Sequence, residues 1–200
     1  MYKLPISSPN KPFLTLPYGS KAMVQWYKDN GLNLTEHNGA DFITGKAVET
    51  YGAALVCPFP TAKVVNVVWD SPMTTKGNGV TLEYKEGNKR HQIVFWHTGE
   101  IVVKLNQVVG EGQTVCYIGN SGLCMPAPTK DRPYDGSHLH FMLFTNGVLK
   151  DPLTLFDKDE WYLGEDSGFI HDIEPAKWSW ELQGITDWWM KLITALKWWS

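Results

Sequence analysis

The chain has 200 residues, 43% of them hydrophobic and 20% charged, with a formal net charge of −3. This is the composition of one globular domain, or of one domain with an appendage, and not of a disordered chain. The slightly acidic balance offers no general attraction to nucleic acid, so none is expected as a partner.

The N-terminus, Met1 to Pro12, lacks the apolar core of a signal peptide, and no apolar run reaches the roughly 18 residues needed to span a membrane. The expectation is a product made in the cytoplasm without a signal peptide and carried outward by other means. Residues 1–17, rich in Pro and Ser, read as an extended N-terminal arm. Lys21 to Asn30 fits a short helix with Ala22, Met23, Trp26 and Tyr27 on one side and Gly31 as its stop.

From Glu36 to Tyr162 the pattern is β. Lys63–Trp69 is a strand. Val80–Tyr84 and His91–Trp96 form a hairpin about Lys85–Arg90. Glu100–Leu105 and Thr114–Ile118 are further strand candidates. Short, closely spaced strands with few helical stretches predict a mainly β fold built on an antiparallel sheet or sandwich. Leu123 to Asp135, with Pro126, Pro128 and Pro133, is a long loop, read either as the wall of a site or as a passive insertion. The three cysteines, Cys57, Cys116 and Cys124, lack a disulfide-framework spacing. They read as buried or free thiols, with a Cys116–Cys124 bridge as the alternative.

Composition shifts near residue 160. Of the ten tryptophans, seven lie from Trp161 onward. Ile185, Trp188, Trp189, Leu192, Ile193, Leu196 and Trp199 recur at helical spacing, opposite Asp187, Lys191, Thr194 and Lys197, which predicts a C-terminal amphipathic helix. Such a helix docks on its own domain or on a partner, or it lies at a membrane surface. The expected organisation is an arm over 1–17, a main domain over 18–160 and a Trp-rich extension over 161–200.

The chemistry concentrates in Gly136-Ser-His-Leu-His-Phe-Met-Leu-Phe144. On a strand, positions i and i+2 share a face, so His138 and His140 project together while Leu139 and Phe141 pack inward. Paired imidazoles on a rigid strand suit a metal, zinc first. Upstream, His37-Asn-Gly-Ala-Asp41 places an imidazole and a carboxylate four residues apart, at a turn entering a strand. His37, Asp41 and one histidine of the pair would supply two nitrogens and one oxygen. That is the three-ligand set of a catalytic zinc with its fourth position open to water. No cysteine stands at the spacing that would close a structural site.

Together these segments resemble the lysostaphin-type, LytM-like zinc endopeptidases. His37-Asn-Gly-Ala-Asp-Phe is similar to that family's first metal motif and Gly136-Ser-His-Leu-His-Phe to its last. Phe95-Trp-His97 is similar to its aromatic-x-His element. Val109–Val115 with Ile118-Gly-Asn-Ser-Gly122 resembles its glycine-rich segment, and Asp151-Pro152 follows as it does there. The order holds from about Tyr18 to Leu155. Leu123–Asp135 is longer than the family's usual link, and Met142 stands where an acidic residue often follows the phenylalanine.

The resemblance implies the lysostaphin-like fold (the duplicated hybrid motif type). It implies one Zn2+ bound by His37, Asp41 and His140, with His138 and His97 as catalytic histidines that do not bind it. His91 and His171 match no motif and are expected to be ordinary core histidines. The implied function is a zinc-dependent endopeptidase that cuts peptide cross-links of bacterial peptidoglycan. The expected setting is a phage tail or virion, or release into the host envelope, with phage tail proteins as partners through the arm and the C-terminal helix. A free endolysin, a bacterial wall-remodelling enzyme and a catalytically silent scaffold of a phage particle are the alternatives.

Overall fold

The structure is a computed structural model that describes residues 1–69 and 76–163. Within it Met1–Leu163 form one compact unit. The predicted C-terminal helix and His171 lie outside the described residues. Among the described residues no helix is long and apolar enough to cross a membrane.

The strands are β1 (Ile6–Ser7), β2 (Phe13–Leu16), β3 (Ala40–Ile43), β4 (Ala54–Val56), β5 (Thr61–Val68), β6 (Asn78–Glu86), β7 (Lys89–Ile101), β8 (Val108–Gly110), β9 (Thr114–Ile118), β10 (Leu139–Thr145), β11 (Val148–Lys150) and β12 (Tyr162–Leu163). They join into one 12-stranded sheet with a spine in the order β1-β4-β9-β7-β10-β3-β2-β12, a branch β7-β6-β5-β8 and β11 paired with β10. Every pairing is antiparallel except β12 with β2. The expected mainly β class holds, in the form of a single mixed sheet with few helices.

The hairpin falls where the sequence places it. Glu86 pairs with Lys89, and Gly87 takes φ 56°, as the first central residue of a two-residue II′ turn requires. The strand expected over Glu100–Leu105 ends early, because β7 stops at Ile101. Lys104 to Gln107 instead close a turn: Gln107 N–H donates to the Lys104 carbonyl at 3.0 Å, and Asn106 sits at φ 69°. The first helix, α1 (Val24–Asp29), is shorter than predicted, and only Tyr27 of its expected apolar side is buried.

The N-terminal residues expected to form an arm join the sheet through β1 and β2. Ile6 pairs with Leu55, Leu14 pairs with Phe42, and Leu4, Ile6 and Leu14 are buried in the core. Within this segment β2 is paired on both sides, by β3 and β12, whereas β1 pairs on one side, with β4. At the other boundary Trp161 is buried against Phe42, with ring centroids 6.1 Å apart, and Tyr162 pairs with Phe13. The compact unit thus runs past residue 160. All three cysteines are free and buried, so no Cys116–Cys124 bridge forms.

The core lies on the inward face of β7 and β10. Phe95 stacks on Phe141 at 5.6 Å, and Phe141 meets Phe156 at 5.3 Å. Leu139, Phe141 and Leu143 alternate inward along β10, and the intervening residues are left for the other face. Phe141→Ala should lower unfolding free energy by about 3–5 kcal/mol, measured by urea denaturation. Phe141→Leu should cost less than half of that, because most of the buried volume is kept.

Candidate metal centre

Strand register brings the candidate residues together. β10 pairs with β3 on one side and β7 on the other, so His140 lies directly opposite both Asp41 and Trp96. Opposite residues on neighbouring strands hold their Cβ atoms about 5 Å apart. This pairing alone places the Asp41 carboxylate beside the His140 imidazole.

His37 comes from the turn before β3. Its backbone bridges the segment after β2: Gly19 N–H donates to the His37 carbonyl at 2.8 Å, and His37 N–H donates to Ser20 at 2.7 Å. The His37 Nδ1–H donates to the Pro17 carbonyl at 3.2 Å, which leaves Nε2 bare for a metal. Gly39 is required by close approach. A Cβ there would lie 2.8 Å from the His140 ring and 2.7 Å from the Phe141 carbonyl.

His37 Nε2, Asp41 Oδ1 and His140 Nδ1 then converge. The separations are 3.2 Å (His37–Asp41), 2.8 Å (Asp41–His140) and 3.1 Å (His37–His140). Two vertices of a tetrahedral zinc site with bonds near 2.05 Å are about 3.3 Å apart. The three donors need to spread by only a few tenths of an ångström to hold such an ion, and they are a borderline N,N,O set of the kind zinc accepts. His37 is buried, but the side chains of Asp41, His140 and His138 keep 14%, 13% and 17% exposure, so the cluster has an open side. Among the described residues, this trio is the one group of His, Cys, Asp or Glu arranged to hold a metal ion.

The other two histidines flank the trio. His138 Nδ1–H donates to the Gly136 carbonyl at 2.7 Å, and its Nε2 lies 3.9 Å from Asp41 Oδ2. His97 Nδ1–H donates to the Ser121 carbonyl at 2.8 Å. The His97 ring centroid is 4.7 Å from that of His138 and 5.9 Å from that of His140. A carbonyl only accepts, so both imidazoles carry their neutral-state proton on Nδ1 and keep an acceptor at Nε2. All five residues singled out in the sequence therefore share one site. His91 does not join them. It sits farther along β7, paired with Tyr84 and Thr145, and its Nδ1 contacts Thr145 Oγ1 at 3.0 Å.

Charge distribution follows from burial and proximity. Burial alone would raise the Asp41 pKa, but His138 foremost, then His140 and His37, hold it well below the usual carboxylate range. Burial would lower His37, yet its bond to Asp41 prevails and raises it. His140 is lowered, with burial outweighing Asp41. His97 is pushed down to about 3 by burial, with repulsion from His138 and His140 added.

Three contributors were not legible in the sequence. Tyr27 stacks on His37, centroids 6.4 Å apart and planes 15° apart. Asn120 Nδ2 donates to the Pro133 and Asp135 carbonyls, both at 2.9 Å, and so ties the Pro-rich loop to the segment beside His97. Ser121 supplies the carbonyl that orients His97. Nothing in the pattern of Tyr27 or Asn120 signals these contacts, because each depends on the packing of segments remote in sequence.

No known protein-family model matches the sequence, and no curated protein matches it. Solved structures do match. A zinc-containing peptidase from Vibrio cholerae superposes with TM-score 0.54 at 22% identity, over 76% of this chain and 39% of that one. The catalytic domain of lysostaphin, an antimicrobial peptidase from Staphylococcus simulans, gives 0.50 at 22%, over 73% and 91%. A structure of the SpoIIIAH–SpoIIQ complex gives 0.55 at 16%, over 78% and 100%. The chain thus spans about two-fifths of the first of these proteins.

For the metal-free protein the pKa directions predict acid sensitivity. An unfolded histidine titrates near 6.5, whereas buried His97 titrates at about 3. Between those values the unfolded chain binds the extra proton, so stability falls as pH falls, by up to roughly 1.4 kcal/mol per pH unit for this group. The raised His37 opposes this only above its unfolded value. Urea denaturation of zinc-free protein at pH 7.5, 6 and 5 should show a net loss of stability below about pH 6.5, and His97→Gln should flatten it.

Proposed function

Taking the lysostaphin-type, LytM-like zinc metallopeptidase fold as the premise, we propose that this chain is a zinc-dependent endopeptidase that hydrolyses peptide cross-links of bacterial peptidoglycan. One observation carries the reading. Three metal-type donors converge to within 3.2 Å of one another on the side of the sheet that also presents two non-donor imidazoles with unblocked Nε2 atoms. Likeness in fold to peptidases supports the reaction class, and peptidoglycan as substrate follows the same likeness.

His37 Nε2, Asp41 Oδ1 and His140 Nδ1 would hold the zinc. The ion supplies Lewis acidity and lowers the pKa of water to roughly 7. The chain's own groups do the rest. His138, its Nδ1–H committed to Gly136, accepts a proton at Nε2 from the attacking water. Once protonated there, it returns the proton to the leaving amine. His97 is held neutral by burial with its Nδ1–H committed to Ser121, so it too accepts at Nε2. This favours orienting the water over donating to a developing oxyanion. Asp41 spans the ligand set and His138 through its two oxygens, and its negative charge stabilises the imidazolium formed in the first step.

A second reading, a scaffold that keeps the fold without turnover, is supported by the likeness to a structure of a protein–protein complex. It predicts no need for His138.

His138→Ala should reduce release of muropeptide fragments by about 100-fold to 10,000-fold, measured by mass spectrometry on walls of several cross-link types, with zinc content unchanged. His37→Ala should lose the zinc itself. If zinc-loaded wild-type protein leaves every wall type intact, the scaffold reading stands instead.

A further inference from the structure

His97 occupies an unusual place in the sheet. β7 gives up one neighbour and takes another there: its last pair with β10 is Trp96–His140, and its first with β9 is Thr98–Ile118. The β6 pairing shifts register at the same point, between Asn78 and Gly79. His97 itself adopts φ 59°, a left-handed conformation that side-chain-bearing residues seldom take. A bulge of this kind re-aims a side chain, but it persists only when the surroundings hold it.

Ser121 is what holds it. Its hydroxyl donates to the Thr98 carbonyl at 2.7 Å and accepts from the Asn78 N–H at 2.9 Å. Its carbonyl accepts from His97 Nδ1–H at 2.8 Å. Gly119 N–H, two residues earlier, donates to the His97 carbonyl at 3.1 Å. From behind, Gly77 at φ 64° packs so closely that a Cβ on it would run into the Ser121 carbonyl. Any residue has a backbone carbonyl. Only a hydroxyl on a short side chain both donates to Thr98 and accepts from Asn78, and this pins the carbonyl in place.

We propose that Ser121 is a positioning residue: its hydroxyl ties the start of β6 to the bulge in β7, so that its carbonyl holds His97 in the Nδ1–H tautomer with Nε2 kept as an acceptor on a ring that lies beside those of His138 and His140. The nitrogen that carries the proton is set by the bond the other nitrogen makes, so loss of the clamp changes what His97 offers without touching a metal ligand. The kinetic part rests on the peptidase reading above; the tautomer part does not.

The test uses the full chain, zinc-loaded and labelled with 15N-histidine, at about pH 8, where an ordinary imidazole is neutral. Long-range 1H–15N correlation should show His97 as a single Nδ1–H tautomer in the wild type. In Ser121→Ala it should become a mixture or the Nε2–H form, with unchanged zinc content, a kcat about 10-fold to 100-fold lower and KM little changed. Ser121→Thr should restore both tautomer and rate. Gly77→Ala, which displaces the same carbonyl from the other side, should reproduce the tautomer change independently. The proposal is overturned if His97 stays purely Nδ1–H in both Ser121→Ala and Gly77→Ala, whatever happens to the rate. If the tautomer moves but not even wild-type protein cleaves any wall, the clamp stands and the peptidase reading falls.

Discussion

The site depends on the register of one strand. β10 lies between β3 and β7, and its alternation sends Leu139, Phe141 and Leu143 into the core while His140 faces Asp41. A slip of one residue would exchange the faces, placing an imidazole among phenylalanines and a leucine at the metal position. The buried face forbids this. Phe141, packed between Phe95 and Phe156, makes the correct register the one that hides the most apolar surface. The same hydrophobic burial that stabilises the sheet therefore sets the geometry of the donors.

Around that register the electrostatics are of one piece. Asp41 is a carboxylate ringed by three imidazoles, two of them within 3.2 Å of Oδ1 and the third 3.9 Å from Oδ2. Burial makes an isolated charge costly, but here the partners favour the ionised form. A carboxylate held ionised beside two imidazole nitrogens is a donor set that could hold a divalent cation. His97 and His138 lie next to it with their Nδ1 protons each bound to a carbonyl. Each of these two imidazoles is thus fixed by backbone, so its direction is set by the fold.

Reading the chain linearly does not show that its first residues join the sheet. The Pro- and Ser-rich first residues look detached because their apolar positions, Leu4, Ile6 and Leu14, are too sparse to register as strands. They are nonetheless buried, since strands already formed elsewhere provide the partners. Val102 to Leu105 shows the opposite error. A β-branched run reads as strand, but the turn built on Lys104, Asn106 and Gln107 takes the backbone out of the ladder.

The mainly β class, the hairpin about Gly87, the inward alternation of β10 and the candidacy of His37, Asp41, His138 and His140 were legible in the sequence pattern, whereas His97 was picked out only by resemblance to a family motif. The former are consequences of local periodicity and of donor chemistry, which survive in one dimension. Tertiary structure alone decided the tautomers of His97 and His138, the stacking of Tyr27 on His37, the tether from Asn120 to the Pro-rich loop and the clamp at Ser121. Each of these is a hydrogen bond or contact whose partner is chosen by where the folded backbone passes, and residue order does not encode that distance.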